Sequence, residues 1–375
     1  MKILIAPDKF KGSLTAEEVT EAIAEGIRSV DPEIESIKFP LADGGDGTAS
    51  ILTNHFRGEF IHINVNNPLF EIIETVYGYA ESIKTAFIEM SSASGLRLIP
   101  KEKQNPLYTT TLGTGEMIRD AINRGAKRIL LGIGGSATND AGTGMAVALG
   151  YKFLSRKGDE LKPVGENLEA IHSIDDSNLL FNPSEFDIQV ACDVDNPLYG
   201  KKGAAYIYSP QKGATPDTVK KLDKGLRNFA RIIKEKYGTE ISYLPGAGAA
   251  GGLGAGAVVF LNARLRPGIE LVMDITEFEK QLESIDLIIT GEGKIDEQTF
   301  RGKVINGVTK LAGKYNIPLL AVCGELMLNQ KKLENHGIKS VQSLVSYLGS
   351  VEKAMNNAKK GITEITKTLI KDFRQ

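Results

Sequence analysis

Two cysteines, Cys192 and Cys323, and four histidines are all the thiol and imidazole in this 375-residue sequence. Neither type shows the paired spacing of a zinc site, and two cysteines do not make a disulfide framework. Both cysteines sit in apolar runs, where a reduced thiol serves as a small core side chain. His55, His62, His172 and His336 are expected to be structural or exposed. No stretch approaches the roughly 20 apolar residues of a membrane span. The apolar opening Met1–Ala6 is too short for a signal peptide and runs straight into Asp8, Lys9 and Lys11. A reducing, cytoplasmic setting is expected. An excess of one charge is also missing: 45 basic and 47 acidic residues leave a formal net charge of −2. No general field therefore favours nucleic acid or an anionic membrane as partner. Several catalytic signatures are absent: a Gly-x4-Gly-Lys-Ser/Thr P-loop, the protein-kinase set and the Gly-x-Ser-x-Gly elbow.

Glycine is abundant, at 40 residues against a usual share of roughly 7%, and it clusters. Glycines gathered in a few places build backbone loops for a ligand. Between the clusters, apolar runs suited to buried strands alternate with helical periodicity. Lys2–Ala6, Arg128–Leu131, Ile188–Cys192, Ser284–Thr290 and Pro318–Val322 read as strands. Thr15 with Glu18 forms a capping box for a helix carrying Val19, Ile23 and Ile27. Pro216–Tyr237 reads as an amphipathic helix with a solvated basic face. Strands alternating with helices predict an α/β fold with parallel sheets covered on both faces. Ligands of such sheets bind beyond the carboxyl ends of the strands, and here those ends carry Gly, Asp and Lys.

The loop Gly132–Gly142 has the chemistry of a phosphate cradle. Gly134 and Gly135 let backbone N–H groups approach an anion. Ser136 and Thr138 add hydroxyls, and the helix expected to follow adds its positive end. A second run, Gly246–Gly256, contains Gly246-x-Gly248-x-x-Gly251, the spacing of the dinucleotide fingerprint. Pro245, rather than a strand, precedes it. Gly248, Gly251 and Gly252 fit a nucleotide contact or close helix packing. Phosphoryl transfer also needs Mg²⁺ held by carboxylates. Asp43, Asp46, Asp193, Asp195 and Asp296 all sit at expected strand ends, and Lys9, Lys11, Lys294 and Arg301 are the cations able to neutralise phosphate or carboxylate. A turn-capping role for any one of these acids is the plain alternative.

Five segments, read in order, resemble the bacterial glycerate kinase family. They are Ala6–Leu14, Ala42–Thr48, Gly132–Gly144, Cys192–Leu198 and Thr290–Asp296, and the Gly246–Gly256 run fits as well. The resemblance implies ATP- and Mg²⁺-dependent phosphorylation of D-glycerate, usually to 2-phosphoglycerate. It implies two α/β domains with the active site in the cleft between them. One is Rossmann-like with a parallel sheet, drawn here as 1–65 plus 280–375. The other is inserted, 66–279, with a return of part of this segment to the first domain left open. In that frame Gly134, Gly135, Ser136 and Thr138, with Gly248, Gly251 and Gly252, bind the nucleotide. Lys9, Lys11, Lys294 or Arg301 holds the carboxylate and the transferring phosphoryl group, and Asp193 is the base. Asp296 with Asp43 or Asp46 holds the metal, and Asp195 is a further metal candidate. Two rival functions remain open on the same residues: an NAD(P)-dependent oxidoreductase using the Gly246 fingerprint, and a non-catalytic nucleotide sensor.

Overall fold

The computed structural model describes residues 1–300 and 302–375. They form two compact units, Met1–Asp43 with Pro267–Gln375, and Gly44–Arg266. The first unit opens with β1 (Lys2–Pro7), whose Ile3, Leu4, Ile5 and Ala6 are wholly buried. A tight turn at Phe10–Leu14 leads to the helix Ala16–Val30. The capping box is present: the Glu18 N–H donates to Thr15 Oγ1 at 3.2 Å, and the Thr15 N–H donates to the Glu18 carboxylate at 2.9 Å. β2 (Glu35–Lys38) then pairs in parallel with β1.

The second unit holds β3 (Glu59–Asn66), β4 (Ile72–Ala80), β5 (Thr85–Glu89), β6 (Arg128–Gly132), β7 (Lys152–Leu154), β8 (Ser173–Asp175), β9 (Asp187–Ala191) and β10 (Arg264–Arg266). Six of these make a sheet in the order β10-β9-β6-β5-β4-β3, and β7 pairs with β8 alone. From β10 to β5 the pairing is parallel, whereas β4 and β3 run antiparallel. The reversal follows from the short β3–β4 connection. There Asn67 Oδ1 accepts the N–H groups of Leu69 and Glu71, a side chain mimicking a turn. β3 falls among residues assigned from sequence to the first domain, but its partner is β4, which places it in the second unit.

The chain re-enters the first unit at Pro267. It adds β11 (Leu287–Ile295), β12 (Leu319–Leu326) and β13 (Ser340–Ser343), giving the all-parallel order β13-β12-β11-β1-β2. β11 runs further than the sequence suggests. Gly291-Glu292-Gly293-Lys294 reads as a loop but lies within the strand, paired with β12 as far as Ile295 opposite Leu326. The glycines permit it: a Cβ at Gly291 would lie 2.7 Å from the Val322 carbonyl oxygen. On one face of this sheet, Ile3 and Ile5 join Val19, Ile23 and Ile27, together with Ile362, Ile365 and Leu369 of the helix Ala358–Phe373. That helix and Ala16–Val30 touch at Gly26, where a Cβ would stand 2.7 Å from the Thr363 carbonyl oxygen.

Candidate functional site

Each unit presents its own cluster of polar groups at the carboxyl ends of its parallel strands. In the first unit the cluster starts at Asp8, directly after β1 and 7% exposed. Its N–H continues the ladder to the Gly291 carbonyl at 2.8 Å. Its Oδ1 accepts the Lys9 N–H at 2.7 Å. Burial, then the negative charges of Asp43 and Glu292, pushes its carboxyl up to about 7, against the opposing pull of Lys9. Glu292, in β11, is also buried, and burial holds its carboxyl above the ordinary range. Glu292 Oε1 accepts from the Thr299 hydroxyl at 3.2 Å and from Lys303 Nζ at 3.1 Å. Glu292 Oε2 is buried with no protein partner among the described residues. Burial pulls the Lys303 ammonium down, but Glu292, Asp296 and Asp43 outweigh it and hold the amine above its usual range.

The structure therefore gathers Lys9, Asp43 and Asp296 from the sequence candidates around Asp8, Glu292 and Lys303. Those last three are not among the residues to which the sequence points. Asp8 and Glu292 stand inside motifs already singled out, and Asp8 carries the signal used for Asp193, an acid straight after a buried strand. Lys303 gives no such signal. Asp296 caps its own turn, its Oδ1 accepting the Gln298 N–H at 2.8 Å. Lys294 lies in the strand rather than in a strand-end loop, exposed and 3.5 Å from Glu325. Lys11 is exposed at the turn before the helix Ala16–Val30. Arg301 lies outside the described residues.

In the second unit the loop after β6 places Gly134 and Gly135 at the surface, with Gly135 at φ +73°. Ser136 is buried, and Thr138, Asn139 and Asp140 are fully so. The loop is clamped from below. The Ala137 N–H donates to the Ser94 carbonyl at 2.9 Å, and the Thr109 hydroxyl donates to the Ala137 carbonyl at 3.0 Å. Asp140 accepts from the Thr111 N–H and hydroxyl, both at 2.8 Å, and from the N–H groups of Gly142 and Gly144, both at 3.2 Å. Burial still keeps its carboxyl above the ordinary range. Lys212, unnoticed in the sequence, lies under this loop. Its Nζ donates to Ser136 Oγ and to the Thr138 carbonyl, both at 2.7 Å. Burial pulls its ammonium down to about 7, with Asp140 resisting.

Two sequence expectations about these loops change. The helix after the glycine loop is short, Thr143–Ala148, so its first turn is not formed by Gly134–Ser136, which act through their own backbone and hydroxyl groups. Gly248, Gly251 and Gly252 are buried, and their open faces are filled by this chain. A Cβ would lie 2.3 Å from the Pro197 carbonyl oxygen at Gly248, and 2.0 Å from that of Thr138 at Gly251. Gly252, at φ +91°, backs onto Ala141. The run serves close packing, and no strand precedes it as the dinucleotide fingerprint requires.

Asp46 is beside the glycine loop: a Cβ at Gly135 would lie 3.8 Å from its Oδ1, and Arg97 pairs with it at 3.2 Å. Asp193 and Asp195 are exposed in the segment after β9, where both bear on the Cys192 thiol. Among the described residues, no group of three or more His, Cys, Asp or Glu is arranged to hold a metal ion alone. Mg²⁺ bound to a nucleotide asks for less, commonly one or two carboxylates beside phosphate oxygens. The acids around Glu292 Oε2 fit that demand. No helix of the described residues is long and apolar enough to cross a membrane.

The sequence model described as the glycerate kinase family matches residues 3–374. A glycerate kinase of Halalkalibacterium halodurans is 47% identical over 94% of this chain and 93% of its own. A glycerate 2-kinase of Escherichia coli is 42% identical over 98% of this chain and 97% of its own. A crystal structure from Salmonella typhimurium LT2, assigned as a glycerate kinase 2, is similar at a TM-score of 0.88 and 41% identity, covering all of both chains.

Proposed function

The chain belongs to the glycerate kinase family and is a kinase, and from that premise we propose that it transfers the γ-phosphoryl group of Mg²⁺–ATP to D-glycerate in the cytoplasm, giving 2-phosphoglycerate. The observation that carries the chemical part of this reading is the cluster at the ends of β1 and β11. Buried carboxyls there stand beside cations, as the charge changes of phosphoryl transfer require.

Gly134, Gly135 and Ser136 offer backbone and hydroxyl donors to an anion. Lys9, Lys11, Lys294 and Arg301 remain the proposed contacts for the glycerate carboxylate and the transferring group, and Lys303 joins them. Asp43 and Asp296 would hold Mg²⁺, which when bound would neutralise phosphate charge. Glu292 Oε2, lacking a protein partner, supports a cation at that place. Asp46 and Asp195 are second-unit alternatives. Asp193 is the proposed base that receives the substrate hydroxyl proton. A second reading gives that role to Asp8, because a buried carboxyl pushed up to about 7 is matched to proton transfer at neutral pH.

A coupled ADP-release assay with Mg²⁺–ATP and D-glycerate tests the reading, and phosphorus NMR of the product identifies the phosphorylated hydroxyl. Turnover to 2-phosphoglycerate is expected. ATP binding without turnover on D-glycerate would refute the substrate assignment, and 3-phosphoglycerate would refute the regiochemistry.

A further inference from the structure

Lys212 brings an ammonium into the interior of the second unit at 2% exposure. Such a charge persists only when its donors are met and its charge is compensated. Ser136 Oγ and the Thr138 carbonyl take two of its donors. Asp140 compensates the charge, but four N–H and O–H groups of its own neighbourhood already share that carboxylate. For stability alone, an apolar side chain of the same volume would serve as well. What only a donor at this position can do is fix the hydroxyl of Ser136. An oxygen that accepts from an ammonium keeps its own proton for another acceptor. Among the described residues Ser136 has no hydrogen bond in which it donates that proton. It follows directly on the exposed Gly134 and Gly135. Two buried polar atoms of the same stretch, Thr138 Oγ1 and Asn139 Nδ2, have no protein partner at all among the described residues.

We propose that Lys212 is a positioning residue for an oxyanion site at Gly134–Ser136, holding the Ser136 hydroxyl as an outward donor and placing positive charge beneath the bound anion. The ligand class is a phosphate or a carboxylate. Naming ATP or glycerate as its source rests on the kinase reading; the site itself does not. The Asp46 carboxylate beside Gly135 is already paired with Arg97, so a rim cation offsets the rim acid.

The test uses the full chain with Lys212→Met, Lys212→Arg and Ser136→Ala, and calorimetric titration with Mg²⁺–ADP, D-glycerate and inorganic phosphate. Loss of a charge-assisted contact weakens binding by about 10- to 100-fold. The expected result is that loss for one of the two organic ligands in Lys212→Met, with the other within about twofold, since a charge-assisted contact is local to its anion. A smaller loss of the same ligand is expected in Ser136→Ala, and partial recovery in Lys212→Arg. Loss for ADP assigns the site to phosphate, and loss for glycerate assigns it to the carboxylate. A merely structural lysine would lower thermal stability and weaken both ligands alike, and that outcome overturns the proposal. Unchanged binding of both does the same. If Lys212→Met does not fold, Ser136→Ala decides by the same criteria. If the wild type binds neither ADP nor glycerate, the kinase reading fails. Phosphate binding that weakens in Ser136→Ala would then still support the site, and its absence would overturn the proposal.

Discussion

Asp8→Asn should make the protein more stable above neutral pH, and the gain should shrink in acid. In the unfolded chain Asp8 ionises near 3.8, whereas in the fold its carboxyl is pushed up to about 7. Between these values the folded state holds a proton that the unfolded state has released, so stability falls as pH rises through the window. The penalty is absent below 3.8 and complete above about 7. A difference of about 3 units at ~1.4 kcal/mol per unit sets a ceiling of about 4 kcal/mol at pH 8. At pH 5 only about 1.2 units of the window have been crossed, so the ceiling there is under ~2 kcal/mol. Asparagine has nearly the same shape, keeps an oxygen for the Lys9 N–H and cannot ionise. Urea unfolding measured at pH 5 and pH 8 reads the difference. Circular dichroism is the suitable signal, because the chain has no tryptophan. A variant midpoint at or below the wild type at pH 8, or an equal gain at both pH values, would refute the reasoning. If Asp8 is also the base, the stabilised variant is inactive, a trade-off between stability and activity.

Asp193→Asn should lower kcat about 100-fold, the usual worth of acid–base catalysis; near-normal steady-state kinetics would transfer the base role to Asp8. Asp296→Asn should raise the Mg²⁺ concentration needed for half-maximal rate, and an unchanged titration would remove Asp296 from the metal site. Gly251→Ala should destabilise the protein by about 2–5 kcal/mol, combining a left-handed backbone with overpacking against Thr138. Urea unfolding checks this, and a neutral result would contradict the packing role of the Gly246–Gly256 run.

Strands buried on both faces were legible because such strands spell continuous apolar runs. β1 and β6 lie within a residue of their expected ends. The helix Pro216–Tyr237 is found at its expected limits, with the Thr215 side chain capping one end and Gly238 in a left-handed conformation at the other. Glycine misleads where it does two jobs. In Gly291–Lys294 it allows two strands to approach, and from Gly248 to Gly252 it admits neighbouring backbone, yet both look like ligand loops in sequence. At Gly134 and Gly135 the glycines are exposed, as a ligand loop requires. The acids show the same limit. Motif position points to Asp43 and Asp296, whereas only the register of β1 beside β11 brings Asp8 close to Glu292. Lys212 could not be found, because a single lysine ahead of an amphipathic helix reads as solvated charge.

The pairing of β1 with β11 joins Ile3 to Leu287 and has a consequence for the order in which the chain matures. A ribosome releases β1 before its partner β11, which emerges only after the whole of Gly44–Arg266. Until then the apolar side chains of β1 and of the helix Ala16–Val30 have no lasting cover, since Ile362, Ile365 and Leu369 arrive later still. The contiguous unit is free to fold while the ribosome is still at work. The divided one must close a loop spanning most of the sequence, which is slow and leaves sticky surface waiting. The contiguous unit is therefore expected to set first, and the two parts of the divided unit, one on either side of it in sequence, to meet afterwards.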